Sequence, residues 1–159
     1  MSEPSPRFFE IFFEIFGSLP RQSPGNRTSA QKALCLCEDL PNVPEILDLG
    51  CGTGGQTFQL AELTQGSVIA VDQHSASIEK LSQKLVQLGL TNRIQAQVGD
   101  MAELNMVQSS FDLIWSEGAL YNIGIPRALS ICAGLLRKGG YLVFTAVSYT
   151  HLRAHETSL

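Results

Sequence analysis

Short apolar runs alternate with segments of helical apolar spacing along the middle of the chain. Runs of branched aliphatic residues predict buried strands, and apolar residues three or four positions apart predict helices between them. The predicted strands are 45–50, 67–72, 93–98, 111–116 and 141–146. The predicted helices are 28–39, 56–64, 75–88 and 126–137, of which the third is capped by Ser75 and stopped by Gly89. Residues 99–110 are polar and predict a loop with one turn at most.

Five strands separated by helices indicate an α/β fold. The expected architecture is a Rossmann-like, doubly wound, mostly parallel sheet with helices on both faces. We expect an N-terminal helical arm or lid over residues 1–44, a core over 45–147 and a non-native tail over 148–159. The tail lacks apolar periodicity and resembles a translated cloning adapter, so no chemistry is assigned to its histidines.

The segment 8–16 is strongly apolar and holds five of the eight phenylalanines. Glu10 and Glu14 are four residues apart, which places them on one face of a predicted amphipathic helix. A helix of this length spans only about 14 Å and is too short to cross a bilayer. It is interpreted either as a lid over a cleft or as a packing element, in the core or between the two copies of a homodimer.

Composition narrows the class of protein. The chain has 159 residues, 44% of them hydrophobic, and 11 basic against 15 acidic side chains give a net charge of −4, which fits one soluble domain. Because no cluster of Lys or Arg is present, a nucleic-acid partner is not expected. The four cysteines lack the spacing of a zinc site and are read as reduced thiols. Without a secretory signal or a long apolar run, no membrane span and a cytoplasmic location are expected.

Candidate chemistry lies where the predicted strands end, since open parallel sheets bind ligands at that edge. Three carboxylates fall there, at Asp48, Asp72 and Asp100. Gly50, Gly52 and Gly55 match the dinucleotide pattern G-x-G-x-x-G, and Asp72 lies where a ribose-binding carboxylate belongs. Asp48, just before the loop, would repel a pyrophosphate but suits a cationic ligand such as S-adenosylmethionine, which carries an ammonium and a sulfonium. An NAD-dependent oxidoreductase remains the alternative.

Residues 46–54, Ile-Leu-Asp-Leu-Gly-Cys-Gly-Thr-Gly, resemble the first motif of class I S-adenosylmethionine-dependent methyltransferases. Blocks at 68–72, 99–101, 111–118 and 135–143 resemble four further motifs of that family, in the same order. The nearest branch is the methyltransferase type 11 group, which includes ubiquinone biosynthesis C-methyltransferase-like proteins. The resemblance implies S-adenosylmethionine as cofactor, a small-molecule methyl acceptor, direct displacement at the sulfonium methyl and no metal.

The family sheet has seven strands, so the chain resembles a member truncated at its C-terminal end. We therefore expect an unprotected edge at the fifth strand, with low stability or aggregation as its consequence. A fragment that binds S-adenosylmethionine without catalysis is a second alternative.

The resemblance also implies roles for single residues. The expected cofactor-binding set is Asp48, Gly50, Cys51, Gly52, Asp72, Gln73, Asp100, Met101 and Ser116. Within it, the glycine loop approaches the methionine part, Asp72 holds the ribose hydroxyls and Asp100 accepts from the adenine amino group. Glu117 is the candidate general base, or else a cap, with Tyr121 as a candidate substrate contact. The segment 19–25 resembles an arm that borders the cofactor cleft in this branch, and its Arg21 either pairs with the cofactor carboxylate or is solvated.

Overall fold

The fold is built on a parallel sheet of five strands, against which the helices pack. The computed structural model describes residues 22–146 continuously, and before them only positions 5, 7, 11, 14, 15 and 19. The strands are β1 (Glu45–Leu49), β2 (Ser67–Asp72), β3 (Ile94–Val98), β4 (Phe111–Glu117) and β5 (Leu136–Thr145). The helices are α1 (Arg27–Cys35), α2 (Gly55–Leu63), α3 (Ser75–Gln87) and α4 (Ile125–Leu135), with a short 3₁₀ helix at Leu120–Ile123. The five predicted strands and four predicted helices are all present.

The strand order is β3-β2-β1-β4-β5, and every neighbouring pair is parallel. After β1 the chain moves outward through β2 and β3, and it then returns to place β4 on the other side of β1. The order therefore reverses between β1 and β4, which is where doubly wound sheets open a crevice for ligands. The predicted fold class is confirmed.

Side chains of the central strands alternate between two apolar layers. Ile46 and Leu47 are neighbours on β1, both have no exposed surface, and they belong to different layers. The first layer packs against α1, α2 and α3, including Leu60 and Leu81, and the second packs against α4, including Cys132. Helices therefore cover both faces of the sheet, and the carboxyl ends of β1 and β4 remain as the accessible edge of the crevice.

The first helix is shorter than predicted. Its cap is Asn26, whose side chain accepts from the Ser29 backbone N–H while the Ser29 hydroxyl side chain accepts from the Asn26 N–H. It ends at Cys35 because the N–H groups of Leu36 and Cys37 bond to carbonyls three residues back, which tightens the last turn and stops the helix. The predicted end at residue 39 is wrong.

Two other predicted boundaries are also wrong. The cap of α3 is His74 and not Ser75, which is the first residue of the helix. The last helix ends at Leu135 instead of residue 137, because Leu136 pairs with Phe111 and begins β5 five residues before the predicted start. A register shift between Phe111 and Leu113 then absorbs the extra residues of β5.

Several predictions fall on residues outside the described part of the chain. These are the phenylalanines of segment 8–16, Arg21 and the tail 148–159. Of segment 8–16 the structure describes Ile11, Glu14 and Ile15, all exposed. Among the described residues, no helix has both the length and the apolar content that a membrane crossing requires.

Candidate functional site

The loop that joins β1 to α2 is held against the end of β2. The backbone N–H groups of Gly50 and Cys51 both donate to the Val71 carbonyl, at 2.8 and 3.1 Å. Gly50 and Gly52 have φ angles of 73° and 55°, a region that side chains other than glycine disfavour. These two glycines let the backbone turn twice within three residues, and a Cβ on Gly50 or Gly52 would overlap Ala119 or Gln22 respectively.

Asp72 closes β2 and shapes this loop. Its Oδ2 accepts a hydrogen bond from the Gly52 N–H at 2.8 Å, and its Oδ1 accepts one from the His74 N–H at 2.9 Å. Each carboxylate oxygen can accept more than one bond, so Asp72 retains capacity for hydroxyl donors of a ligand. The predicted ribose-binding residue therefore lies directly beside the glycine loop.

Asp48 lies beneath the same loop and is 2% exposed. Its Oδ2 accepts a hydrogen bond of 2.6 Å from the hydroxyl of Thr57, which is fully buried in the first turn of α2. A carboxylate so far from water needs hydrogen-bond donors or a positive charge to offset its lost hydration. Thr57 supplies one such donor, and a cationic ligand group would supply another.

A small cavity lies between the glycine loop, the start of α2 and the segment before α1. Its volume is about 30 Å³, and its lining residues are Gln22, Ser23, Asp48, Gly50, Cys51, Gly52, Gly55, Gln56 and Glu117. Two carboxylates, Asp48 and Glu117, therefore line one cavity, and they are the charged side chains among its described lining residues.

Glu117, at the end of β4, is held by two neighbours. Its Oε1 accepts from the indole Nε1–H of Trp115 at 3.2 Å, and Trp115 is itself 2% exposed. On its other side the carboxylate lies so close to Gly25 that a Cβ added there would be 2.6 Å from Oε2. Glu117 thus connects the end of the sheet to the segment before α1.

The remaining predicted residues differ in their burial and in their hydrogen bonds. Asp100 is exposed, and its Oδ1 accepts from the Ala102 N–H at 2.8 Å. Met101 lies beside Gly50 and packs on the second apolar layer, whereas Gln73 is exposed. Ser116 is fully buried, and its hydroxyl donates to the Leu49 carbonyl at 2.8 Å, so it joins β4 to the end of β1. Its contact with a bound methyl group stays a prediction.

Cys51 is unsuited to nucleophilic chemistry. Burial raises the pKa of its thiol far above the ordinary value, and the nearby carboxylates of Asp48 and Asp72 raise it further. The thiol therefore stays protonated, and its position in the loop contributes shape and packing. In the part of the chain that the structure describes, no group of three or more metal-ligating side chains comes together.

Sequence reasoning missed Gln56 and Thr57 of this site, and it named Gln22 and Ser23 only as part of the arm 19–25 that is expected to border the cleft. The position of Thr57, in the first turn of the helix after the glycine loop, was the available signal, since side chains there point back toward the loop. Gln22 carried no signal beyond its place in the arm 19–25, because its contact with the loop spans 31 residues of sequence.

Comparisons with known proteins show that the chain is similar to methyltransferases. A family model described as a methyltransferase domain matches residues 44–158. A dimethylglycine N-methyltransferase of Parasynechococcus marenigrum is 30% identical over 113 residues, which cover 70% of this chain and 40% of that protein. A trans-aconitate 2-methyltransferase of Deinococcus radiodurans is 39% identical over 101 residues, which cover 62% of this chain and 36% of that protein. The chain thus spans well under half the length of these relatives.

A solved structure has the same fold. The geranyl diphosphate C-methyltransferase of Streptomyces coelicolor, in complex with Mg²⁺, geranyl diphosphate and S-adenosylhomocysteine, superposes with a TM-score of 0.66. The match covers 74% of this chain and 44% of that one at 16% identity.

Proposed function

The chain belongs to the methyltransferase domain family, and on that premise we propose that it binds S-adenosylmethionine and directs the methyl group to a small-molecule acceptor. The observation that carries the proposal is the glycine loop, which is bonded to the Asp72 carboxylate and shares a cavity with the buried Asp48. The names of two relatives, which state dimethylglycine and trans-aconitate as acceptors, support a small acceptor here.

The donor groups of the cofactor fit these residues. S-adenosylmethionine carries an ammonium and a sulfonium, which the carboxylates of Asp48 and Glu117 suit by charge. Its ribose hydroxyls and adenine amino group are hydrogen-bond donors, which Asp72 and Asp100 would accept. The loop glycines Gly50 and Gly52 give the backbone a path along the cavity that other residues disfavour.

The proposed chemistry needs little from the protein beyond positioning. When bound, the cofactor supplies a methyl group already activated by the sulfonium. The chain then aligns the acceptor with that methyl and excludes water. Glu117 is the proposed proton acceptor, because its carboxylate faces the cavity and Trp115 holds it in place. Ser116 is assigned to support of the loop, since its hydroxyl already bonds Leu49.

Further proposals concern the domain bounds, the cellular location and the oligomeric state. We propose a cofactor-binding unit over residues 45–147, preceded by an arm over 1–44, and action in the cytoplasm without nucleic acid. The four cysteines are all described and all free, which suits a reducing compartment. A homodimer through segment 8–16 is also proposed, since Ile11 and Ile15 are 41% and 58% exposed. Size-exclusion chromatography with light scattering tests it.

Calorimetric titration tests the cofactor site. We expect S-adenosylmethionine and S-adenosylhomocysteine to bind the wild-type chain, and NADH not to bind. Asp72→Asn should weaken binding by about 10- to 150-fold, because charge-assisted hydrogen bonds are worth about 1.5–3 kcal/mol. Glu79→Gln, an exposed acid on α3, is the matched control and should change nothing. A chain shown to be folded by circular dichroism that binds neither ligand would refute the proposal.

Turnover separates an enzyme from a cofactor-binding fragment. The same preparation, mixed with S-adenosylmethionine and a panel of small amines, carboxylic acids and carbon nucleophiles, should release S-adenosylhomocysteine with at least one acceptor. Glu117→Gln should lower the rate of that reaction if the acceptor loses a proton during attack. Cofactor binding without turnover on any acceptor would support the fragment alternative.

A further inference from the structure

The outer edge of β3 presents hydrogen-bonding groups that point away from the sheet. β3 is the last strand on its side, and no strand among the described residues lies beyond it. The Arg93 carbonyl accepts a hydrogen bond from the Val68 N–H of β2, so the backbone at 93 points inward. Backbone groups alternate in direction along a strand, and those at 95 and 97 therefore point inward as well. The N–H and C=O groups of Ala96 and Val98 point outward, away from β2.

This edge lacks the features that keep edge strands apart. Natural sheets protect an edge with charged side chains, prolines or bulges. β3 reads Ile-Gln-Ala-Gln-Val, without a charge or a proline, and it pairs with β2 over five consecutive positions without a register shift. β3 is therefore a regular, uncharged template for one more strand.

Two exposed valines lie at the same edge. Val98 is 57% exposed, and Val86, on α3, is 70% exposed. Ile94 packs in the apolar layer under α3, and Val98, four residues later on the strand, shares that face. A groove of about 420 Å³ runs between α3 and β3 beside Val86 and Ile94, and it is lined in part by Leu85 and Ala96. The edge thus carries an apolar groove near its start and an exposed apolar side chain at its end.

We propose that two copies of this chain associate through β3, with the two strands antiparallel about a two-fold axis at Ala96. In this register Ala96 lies opposite its own counterpart, and Val98 lies opposite Ile94 of the partner subunit. The outward N–H of each Ala96 donates to the carbonyl of the other, and each Val98 N–H donates to the carbonyl of Ile94 of the partner subunit. Each copy gives and receives the same bonds, so the contact closes as a dimer.

The side chains of β3 are complementary to their own copy in this register. Val98 of one copy enters the groove beside Ile94 and Val86 of the other, which covers both exposed valines. Gln95 lies opposite Gln97, and an amide side chain both donates and accepts hydrogen bonds. Like charges placed opposite each other would repel, and β3 carries no charge. A second copy is therefore the occupant that this edge fits.

This association leaves the candidate site of each copy uncovered. Antiparallel pairing places the carboxyl ends of the two sets of strands at opposite ends of the joined sheet. The crevice between β1 and β4 is also separated from β3 by β2. The contact neither covers nor requires the cofactor, and it is independent of the proposed function.

Engineered cysteines test the register, in a Cys35→Ser background because Cys35 is the exposed free thiol. Ala96→Cys places the new thiol opposite its counterpart, with the Cα atoms about 5.5 Å apart, within the range for a disulfide. Val98→Cys is the matched control, since its two new thiols would lie about 14 Å apart along the strands. With oxidised glutathione as the oxidant, we expect Ala96→Cys to form a covalent dimer on non-reducing electrophoresis and Val98→Cys to remain a single chain. Val98 is the more exposed position, so chance collisions would favour the opposite result.

Analytical ultracentrifugation over a concentration series measures the strength of the association. Ala96→Pro removes the outward N–H and keeps the bonds to β2, and an edge strand tolerates proline where the N–H faces solvent. A neutral hydrogen bond is worth about 2- to 12-fold and two are lost per dimer, so the dissociation constant should rise about 5- to 150-fold. Val98→Lys should raise it at least about tenfold, because the ammonium would have to leave water. Val107→Lys, at a 78% exposed loop position, is the control and should match the wild-type chain.

Circular dichroism checks that each variant is folded. A wild-type chain that stays monomeric over the concentration series would overturn the proposal, and so would equal cross-linking of Ala96→Cys and Val98→Cys. A mass that neither Ala96→Pro nor Val98→Lys lowers would assign the association to another surface, such as segment 8–16, and would also overturn it. None of these results alters the calorimetric test of the cofactor site, so failure of this contact and failure of the proposed function are distinguishable.

Discussion

Replacing Thr57 by valine tests the physical role of the buried Asp48. The substitution keeps the shape of the side chain and deletes the hydroxyl that donates to Asp48 Oδ2 at 2.6 Å. Both residues are almost fully buried, at 0% and 2% exposure, so water cannot easily replace the lost donor. A hydrogen bond to a charged group contributes about 1.5–3 kcal/mol, and we expect Thr57→Val to lower the free energy of unfolding by about that amount.

Urea denaturation followed by circular dichroism measures the change, and a melting temperature about 5–10 °C lower should accompany it. Asp48→Asn supplies a double-mutant cycle, because a neutral acceptor makes a weaker bond with the hydroxyl. In that background, Thr57→Val should cost about 1 kcal/mol less than in the wild-type chain. Thr91→Val, at an exposed threonine, is the control. A Thr57→Val cost below about 0.5 kcal/mol, or an equal cost in both backgrounds, would refute this role.

Two further predictions concern packing and thiol chemistry. Leu81 is fully buried beneath the glycine loop, so Leu81→Ala should lower the free energy of unfolding in urea by about 2–5 kcal/mol. The control Leu88→Ala, at a 55% exposed site, should lower it by less than about 1 kcal/mol. Similar losses at both sites would contradict the packing. Burial raises the pKa of the Cys132 thiol to about 11 and that of Cys51 still further. At pH 8 the exposed Cys35 should therefore react first with a thiol reagent, and Cys51 and Cys132 should react only after the chain is denatured. Peptide mapping of the labelled chain measures the order of reaction. Rapid labelling of Cys51 in the folded chain would contradict its burial.

The elements of the fold were predictable because their signals are local. The buried strand at 45–50 and the apolar spacing of Ile78, Leu81 and Leu85 each lie within a few residues. The family resemblance drawn from residues 46–54 is confirmed by the family model as well. Element ends were predicted less well, since the end of α4 depends on the pairing of Leu136 with Phe111, 25 residues away.

The residues of the site also include some that were predictable from local sequence and some that were not. The positions of Asp48 and Asp72 at strand ends follow from the alternation of strands and helices, and the structure brings both to the glycine loop. The contacts that complete the site were not predictable, because Gln22 meets Thr53 and Gly25 meets Glu117 across long stretches of sequence. No periodicity specifies such contacts, and they arise only when α1 packs on the sheet.

Asp48 and Asp72 therefore make different contributions, although the sequence presents them as similar carboxylates before and after one glycine loop. Asp72 is partly exposed and accepts hydrogen bonds from two backbone N–H groups, so it sets the path of the loop. Asp48 is buried, and a charge there interacts more strongly with a nearby cation because little water intervenes. A ligand with hydroxyl donors at one end and an ammonium at the other satisfies both, whereas a dinucleotide would bring its phosphates against the buried charge.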